Sequence, residues 1–502
     1  MTSKQIEMLI PVVLYLGFCV FLALRVGNRQ MAVDSGEKKH RFSKNYFIGG
    51  RSLGGFVLAM TTMATYYEAS SYFGGPGIAY SQGLSWVYLA MIQTPLTFLI
   101  LGTFGKKMNI VSRKINAVTI PDYLRHRFHS ETLVWVAVIG MIVFFESIMV
   151  AQLMGGSILL SAITGIPYLT GLVIFTVVIV IYTAIGGFKA VAIGDAVQGM
   201  VMLAGALVLL VCVVKAGGGM WSIKESLDQV MPYWADAAHE GQSKLYTMCF
   251  WMLVGYACVG LPQTAVRNMS FKSTKSLHSA MIVSTIVLGF IMLVTHFCGG
   301  LSRAFITPDM VPTSDSVVPL VATMYMPSVL CGLFVAGCMA AVMSTIAGVL
   351  VNCVSSAVKD IWLHNKEKRD PNFLNNPKNE KRYKTLTMAG TLVFALIAFV
   401  IAIDPPSLIS YLNLFATGGL ESVFLMPIIG GLYYKKGNKV GALASAIGGF
   451  VTFLLCKTVI PLGDVDASVP AVLVAVLLFF LGSALAKPDL SAKEMEVYFP
   501  TV

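Results

Sequence analysis

Runs of about twenty apolar, almost uncharged residues recur along the whole of this chain, and few folds can absorb that pattern. Over 502 residues, 56% are hydrophobic and only 12% charged, with a mean hydropathy of +0.75. A soluble domain carries about twice that charged fraction. The runs are continuous and do not alternate, so the fold class is all-α polytopic membrane protein, not a β-barrel. Thirteen transmembrane helices are expected, with cores at 8–26, 52–79, 84–104, 132–163, 167–186, 190–215, 245–268, 279–301, 327–358, 385–403, 407–434, 438–458 and 468–486. The first run, Met8 to Val26, lacks an A-x-A cleavage pattern and enters a basic loop directly, so it reads as a retained helix.

Charge sets the topology. The net charge of +11 is concentrated in short loops, with Arg29, Lys38, Lys39, Arg41, Lys44 and Arg51 after the first helix. Lys106, Lys107, Arg113, Lys114, Arg125 and Arg127 follow the third, and seven Lys or Arg lie between Lys366 and Lys384. The alternate loops at 80–83, 164–166 and 404–406 have none. The positive-inside rule then places the basic loops in the cytoplasm, the N-terminus outside and the C-terminus inside a cell inner or plasma membrane. Topology accounts for the basic residues, so no nucleic-acid partner is expected. The nine cysteines fall almost entirely inside apolar runs without a C-x-x-C pair, which reads as packing and not as a disulfide or zinc framework.

One span departs from the packing pattern. FVLAMTTMATYYEASSYFGGPGIAY, from Phe56 to Tyr80, carries Thr65, Glu68, Ser70 and Ser71 at its centre, then Gly74-Gly75-Pro76-Gly77. Unpaired polar groups in hydrocarbon cost several kcal/mol each. Loosened helices with polar centres are where secondary transporters hold solute and coupling ions. The seventh helix has a second interruption, Gly260-Leu261-Pro262. Each broken helix opens a block of five, so the second block enters the membrane from the opposite side, as inverted repeats do. The expected organisation is a first helix and loop (1–51), repeat 1 (52–216), repeat 2 (217–435), and two last helices with a cytoplasmic tail (436–502).

Several stretches resemble the sodium:solute symporter family. They are YTAIGGFKA from Tyr182, AAVMST from Ala340, and GLYYKK from Gly431 followed by Gly441-Ala442. RSLGGFVLAM, GLSWVYLAMIQ, GLPQTAVR and YLNLFATGGLESVFLMP extend the likeness over nearly the whole chain. The resemblance implies a LeuT-like core of ten helices, with one helix before it and two after. It also implies a sodium-coupled symporter that works by alternating access as a monomer in the lipid bilayer. The branch of the family that these stretches are similar to implies a small organic anion, pantothenate, as the solute. Another small solute (amino acid, sugar or monocarboxylate) or a transporter-like nutrient sensor are the alternative readings. With no H-E-x-x-H or comparable acid cluster, no enzyme is expected.

The family's sodium site maps onto Ala64, Tyr67, Ala341, Ser344 and Thr345. Sodium is a hard cation suited to carbonyl and hydroxyl oxygens. Ala64 and Tyr67 share a helix face, and their carbonyls are freed if the helix loosens. Ser344 and Thr345 can alternatively bond back along their own helix. Ala347 and Gly348 in the next turn have no side-chain oxygen, so one sodium per solute is expected, with Asp195 on the ion pathway. Glu68, Ser71, Tyr72, Gln93, Tyr256 and Gln263 are the candidate solute contacts, Tyr256 equally a packing aromatic. Glu68 is either protonated, turned to sodium, or an acceptor for solute hydroxyl and amide groups. Glu146 and Glu421 read as functional acids or as neutral, backbone-bonded ones. Arg267 reads as a topological anchor at a cytoplasmic end, and His296 as a structural histidine.

Overall fold

Each apolar run forms helix in the computed structural model, which describes residues 2–34, 41–237, 243–407, 409–463 and 465–500. Lys38 and Lys39, and the side chains of Arg29, Arg41 and Tyr256, lie outside the described residues. The helices used below are α1 (Ser3–Asp34), α2 (Gly55–Tyr66), α3 (Gly75–Gln82), α4 (Leu84–Ala90), α5 (Glu131–Thr164), α6 (Tyr168–Ala216) and α7 (Lys244–Trp251). They continue with α8 (Pro262–Asn268), α9 (Thr274–Ser302), α10 (Ser328–Val354), α11 (Pro377–Ile403), α12 (Ile409–Leu425), α13 (Lys439–Thr458) and α14 (Ser468–Leu485). Among the described residues, ten helices are long and apolar enough to cross a bilayer, or eleven if the pair Lys244–Gly260 and Pro262–Asn268, bent by 45°, is one span.

Burial sorts these helices from centre to rim. The most apolar window of Ser328–Arg369 is 83% buried, against 22% for Ser3–Val26. α10 is therefore the central column, packed on α6, α5 and α1. α13 and α14 pair at the edge and present exposed leucines such as Leu477, Leu481 and Leu485. A face of that kind is stable against lipid tails, which are as apolar as leucine.

Glycines set two of the turning points. α6 runs for 49 residues, about 74 Å at 1.5 Å per residue, far more than the roughly 30 Å of a hydrocarbon core. Its helical path is interrupted at Gly187, with φ 55° and ψ −174°, a conformation that side chains with a Cβ rarely adopt. A Cβ there would also lie 2.7 Å from the Tyr46 ring, whose hydroxyl donates to the Thr183 carbonyl at 3.2 Å. The run from Phe56 to Tyr80 breaks too. α2 stops at Tyr66, Tyr67 takes φ −100° and ψ 88°, and a wide π turn over Ser70–Gly74 leads into α3.

Two further ties hold the frame. The entry to α2 is joined to the exit of α8 by a bridge, with Leu53 N–H donating to Ser270 O (3.2 Å) and Lys272 N–H to Leu53 O (2.9 Å). Arg127, fully buried, donates to the carbonyls of Gly431, Tyr434 and Gly437 at 2.7–3.1 Å. A cation on terminal carbonyls is favourable, and it gives the Gly431-Leu-Tyr-Tyr stretch a fold-building role.

Candidate functional site

Because α2 ends at Tyr66, the Ala64 carbonyl falls in its last turn, where carbonyls lack an intrahelical partner. It is met from α10. The Ser344 hydroxyl lies 3.1 Å from both the Ala64 and the Ala341 carbonyls, and the Thr345 hydroxyl 3.4 and 3.2 Å from the same two. Four of the five sodium-site oxygens expected from sequence thus gather between α2 and α10. All four residues are buried. Hydroxyls and carbonyls offer a cation lone pairs without a net charge. The Tyr67 carbonyl belongs to the non-helical link beside them; the Tyr67 hydroxyl donates to Thr295 at 2.5 Å.

A cavity opens next to this cluster. The space free to the centre of a water molecule is about 80 Å³, several times the roughly 10–15 Å³ one water needs. Of the candidate solute contacts, Glu68, Ser71, Gln93 and Gln263 line it, together with Thr345 of the oxygen cluster. Tyr72 does not. It is fully buried, packs on Tyr67 and Phe334 with centroids 4.5 and 6.0 Å away, and donates to the Met202 carbonyl at 3.2 Å. The π turn rotates it away from the cavity face that Glu68 and Ser71 occupy.

Glu68 is gripped from two sides. Gln152 of α5 donates to its Oε2 at 2.8 Å, and Asn413 of α12 donates to its Oε1 and, at 3.1 Å, to Ser70. Gln152 is completed by the Ala69 N–H at 3.0 Å. Acceptors facing two amide donors are the arrangement an ionised carboxylate wants. Neither Gln152 nor Asn413 was expected from sequence; an amide side chain in an apolar run was the available signal.

Arg267 corrects the sequence expectation. It is 2% exposed and lines the cavity, whereas an anchor at a membrane end would meet water and phosphate. Its guanidinium donates to the Thr61 carbonyl and hydroxyl (3.2 and 3.3 Å) and to the Gln263 carbonyl (3.2 Å). The Thr61 hydroxyl in turn donates to Asp195 at 2.5 Å. Asp195, fully buried, therefore joins α6 to α2 and, through Thr61, to α8. His296 fits its structural reading, with Nδ1 2.8 Å from the Met292 carbonyl, although it also lines the cavity. Glu146 lies in a separate groove with Tyr411 and Lys457. Among the described residues, neither its carboxyl oxygens nor those of Glu421 have a hydrogen-bond partner.

Comparison with known proteins agrees with this architecture. A Na⁺-coupled sialic acid symporter in a substrate-bound outward-open state superposes with a TM-score of 0.77 at 19% identity, covering 96% of this chain and 98% of that one. Mhp1, a nucleobase-cation-symport-1 family transporter, superposes with a TM-score of 0.55 at 14% identity, over 91% and 98%. In sequence, the sodium/pantothenate symporter of Haemophilus influenzae is 38% identical over 98% of this chain and 99% of its own length. That of Escherichia coli is 40% identical over 95% and 96%. An osmoregulated proline transporter of Bacillus subtilis is 28% identical over 84% and 85%. The profile of the sodium:solute symporter family matches residues 46–449, and the chain belongs to that family.

Proposed function

We propose that this protein is a sodium-coupled symporter in the plasma membrane that imports a small organic anion, pantothenate, by alternating access. The observation that carries the reading is the shared wall between ion cluster and cavity. Thr345 gives its hydroxyl to the Ala64 carbonyl and also lines the cavity. An ion held by Ala64, Tyr67, Ala341, Ser344 and Thr345 would order the broken link from Tyr67 to Gly74, and that link carries Glu68 and Ser71 into the solute's space. Binding of ion and solute are then coupled through one segment. The near full-length likeness to two sodium/pantothenate symporters supports pantothenate as the solute.

Thirteen spans, with the N-terminus outside, remain our reading. Counting α6 as two spans meeting at Gly187, Gly55–Gln82 as one broken span and Lys244–Asn268 as another raises ten to thirteen. On that count the broken helices open two inverted five-helix repeats, 52–216 and 217–435, flanked by 1–51 and 436–502. One sodium per solute is supported by Gly348, where a Cβ would lie 3.1 Å from the Arg267 guanidinium. The next turn of α10 beyond the ion cluster thus offers no side-chain oxygen and faces a resident cation.

Reconstitution tests this directly. Purified protein in proteoliposomes should accumulate pantothenate under an imposed inward sodium gradient and should not do so under a potassium gradient. One sodium with a monoanion moves no net charge, so transport should draw no current, although one uncompensated charge would be worth about 2.3 kcal/mol per 100 mV. A current that scales with uptake refutes the stoichiometry. Uptake indifferent to sodium refutes the function.

A further inference from the structure

Most polar atoms around the cavity are spoken for by protein partners, and the exceptions form a pattern. Glu68 has both oxygens occupied by amide donors, and Gln152 has both ends of its amide satisfied. Asn413 does not. Its Nδ2 faces the Glu68 carboxyl and Ser70, the orientation that suits an ionised Glu68, since reversing the amide would then set oxygen against oxygen. Its Oδ1 is therefore turned elsewhere, and among the described residues it is buried with no hydrogen-bond partner. Gln263 Oε1 is likewise buried without a partner, on a side chain only 7% exposed. So is the Trp86 indole N–H, also on a 7% exposed side chain, whose ring is set by edge contact with Phe250 at 5.3 Å. These three residues come from α12, α8 and α4, and all three line the cavity, as does Tyr66 of α2, whose hydroxyl, donor or acceptor, is also buried without a partner among the described residues. Buried polar groups in native proteins are partnered with high regularity. Several orphans lining a single cavity are what a ligand-completed site leaves behind.

We propose that Asn413 Oδ1, Gln263 Oε1 and Trp86 Nε1–H are the solute-recognising groups of this transporter. Two are acceptors and one is a donor, which prescribes the solute in complement. It must bring two donors, hydroxyl or amide N–H, to the amide oxygens, and one acceptor, a carboxylate or carbonyl oxygen, to the indole. A hydroxylated amide acid meets that pattern. This rests on the symporter reading above and deepens it. Each Glu68 oxygen takes one amide donor, from Gln152 or Asn413, and Asn413 presents to the solute the neutral oxygen at its other end.

The test uses the full-length protein in proteoliposomes with Trp86→Phe and Gln263→Met, which keep shape and remove one polar group each. Each should raise the KM for pantothenate about three- to tenfold at saturating sodium, as expected for loss of one hydrogen bond. Sodium-dependent thermal stabilisation without solute should stay unchanged. A pantothenate analogue lacking one hydroxyl should compete several-fold more weakly than pantothenate against the unmodified protein. That penalty should vanish in Gln263→Met or in Asn413→Ala, since each deletes a candidate partner. An unchanged KM in both conservative variants overturns the inference, and so does loss of sodium-dependent stabilisation, which would mark a structural role. Absence of sodium-driven pantothenate uptake by the unmodified protein sinks the functional reading and the inference with it.

Discussion

With the N-terminus outside, as proposed above, Gly77 lies at the outer end of its span, and if its approach to Ser314 belongs to the outward-closed state, replacing it by alanine should hold the transporter open to the outside. Gly77 is on α3, and a Cβ there would lie 2.0 Å from the Ser314 carbonyl oxygen. Contacts under 3.0 Å are essentially never seen for real Cβ atoms, so the two backbones must separate by at least 1.0 Å. A backbone carbonyl cannot rotate away as a side chain can. Overpacking of this kind costs about 1–3 kcal/mol. The helix-propensity gain from Gly to Ala, up to about 1 kcal/mol, is present whether the outer side is open or closed and cancels between the two. The closed population should therefore fall by roughly 5- to 150-fold, since 1.4 kcal/mol is tenfold.

Cys258 offers a native reporter, as the one cysteine that lines the cavity among the described residues, and it is 3% exposed. A membrane-impermeant maleimide added outside should label Cys258 faster in Gly77→Ala than in the unmodified protein, and uptake should slow in proportion. Gly74 supplies the control. A Cβ there would lie 1.8 Å from the Ser410 hydroxyl and 3.0 Å from its Cβ, so Gly74→Ala should be relieved by Ser410→Gly. No trimming of the Ser314 side chain should relieve Gly77→Ala. Labelling and uptake at unmodified rates in Gly77→Ala would refute the reasoning.

Ser344→Ala removes one oxygen of the proposed ion cluster and should raise the half-saturating sodium concentration of uptake roughly ten- to hundredfold, while the KM for solute at saturating sodium changes little. Glu68→Gln leaves one of its two amide donors facing an NH₂ group and should cost about 1.5–3 kcal/mol, read as a lower melting temperature even without sodium or solute; an unchanged melt would show the grip is idle. Burial pushes the Asp122 carboxyl up, but Lys359 at 2.5 Å, the Val118 N–H and Arg125 outweigh it and hold the carboxyl below its ordinary value. Its stabilisation is therefore present above the ordinary carboxylate range and is lost as pH falls through the lowered value. Asp122→Asn should destabilise the protein by about 2–3 kcal/mol at pH 7, with a gap to the unmodified protein that closes on acidification.

What was legible in the sequence was whatever depends on local chemistry. Apolar run length gave the helices, and the Ser, Glu and Gly content of Phe56–Tyr80 marked the broken helix. The oxygen cluster was legible only with the family's pattern beside it, since Ser344 and Thr345 bond along their own helix in the structure as well as across to α2. Side-chain direction was not legible. Ser71 and Tyr72 are neighbours, yet one lines the cavity and the other packs on Phe334, because a π turn shifts the angular phase that a regular helix would give. Tertiary partners were hidden for the same reason. Gln152 and Asn413 lie 84 and 345 residues from Glu68, and nothing local to either announces the meeting.

The two charges the sequence left in doubt explain each other. Arg267, read as an anchor, stands against the cavity with Asp195 two hydrogen bonds away through Thr61. Glu68, read as protonated, turned to sodium or an acceptor for solute donors, lines the same cavity and is held by neutral amides from α5 and α12. Each buried charge has polar groups around it, as an apolar surrounding demands. An anionic solute entering between them meets a satisfied carboxylate and a buried guanidinium. The field across the cavity then favours one orientation, with the carboxylate end away from Glu68. That orientation would set hydroxyl and amide donors toward Asn413, whose Oδ1 has no partner among the described residues.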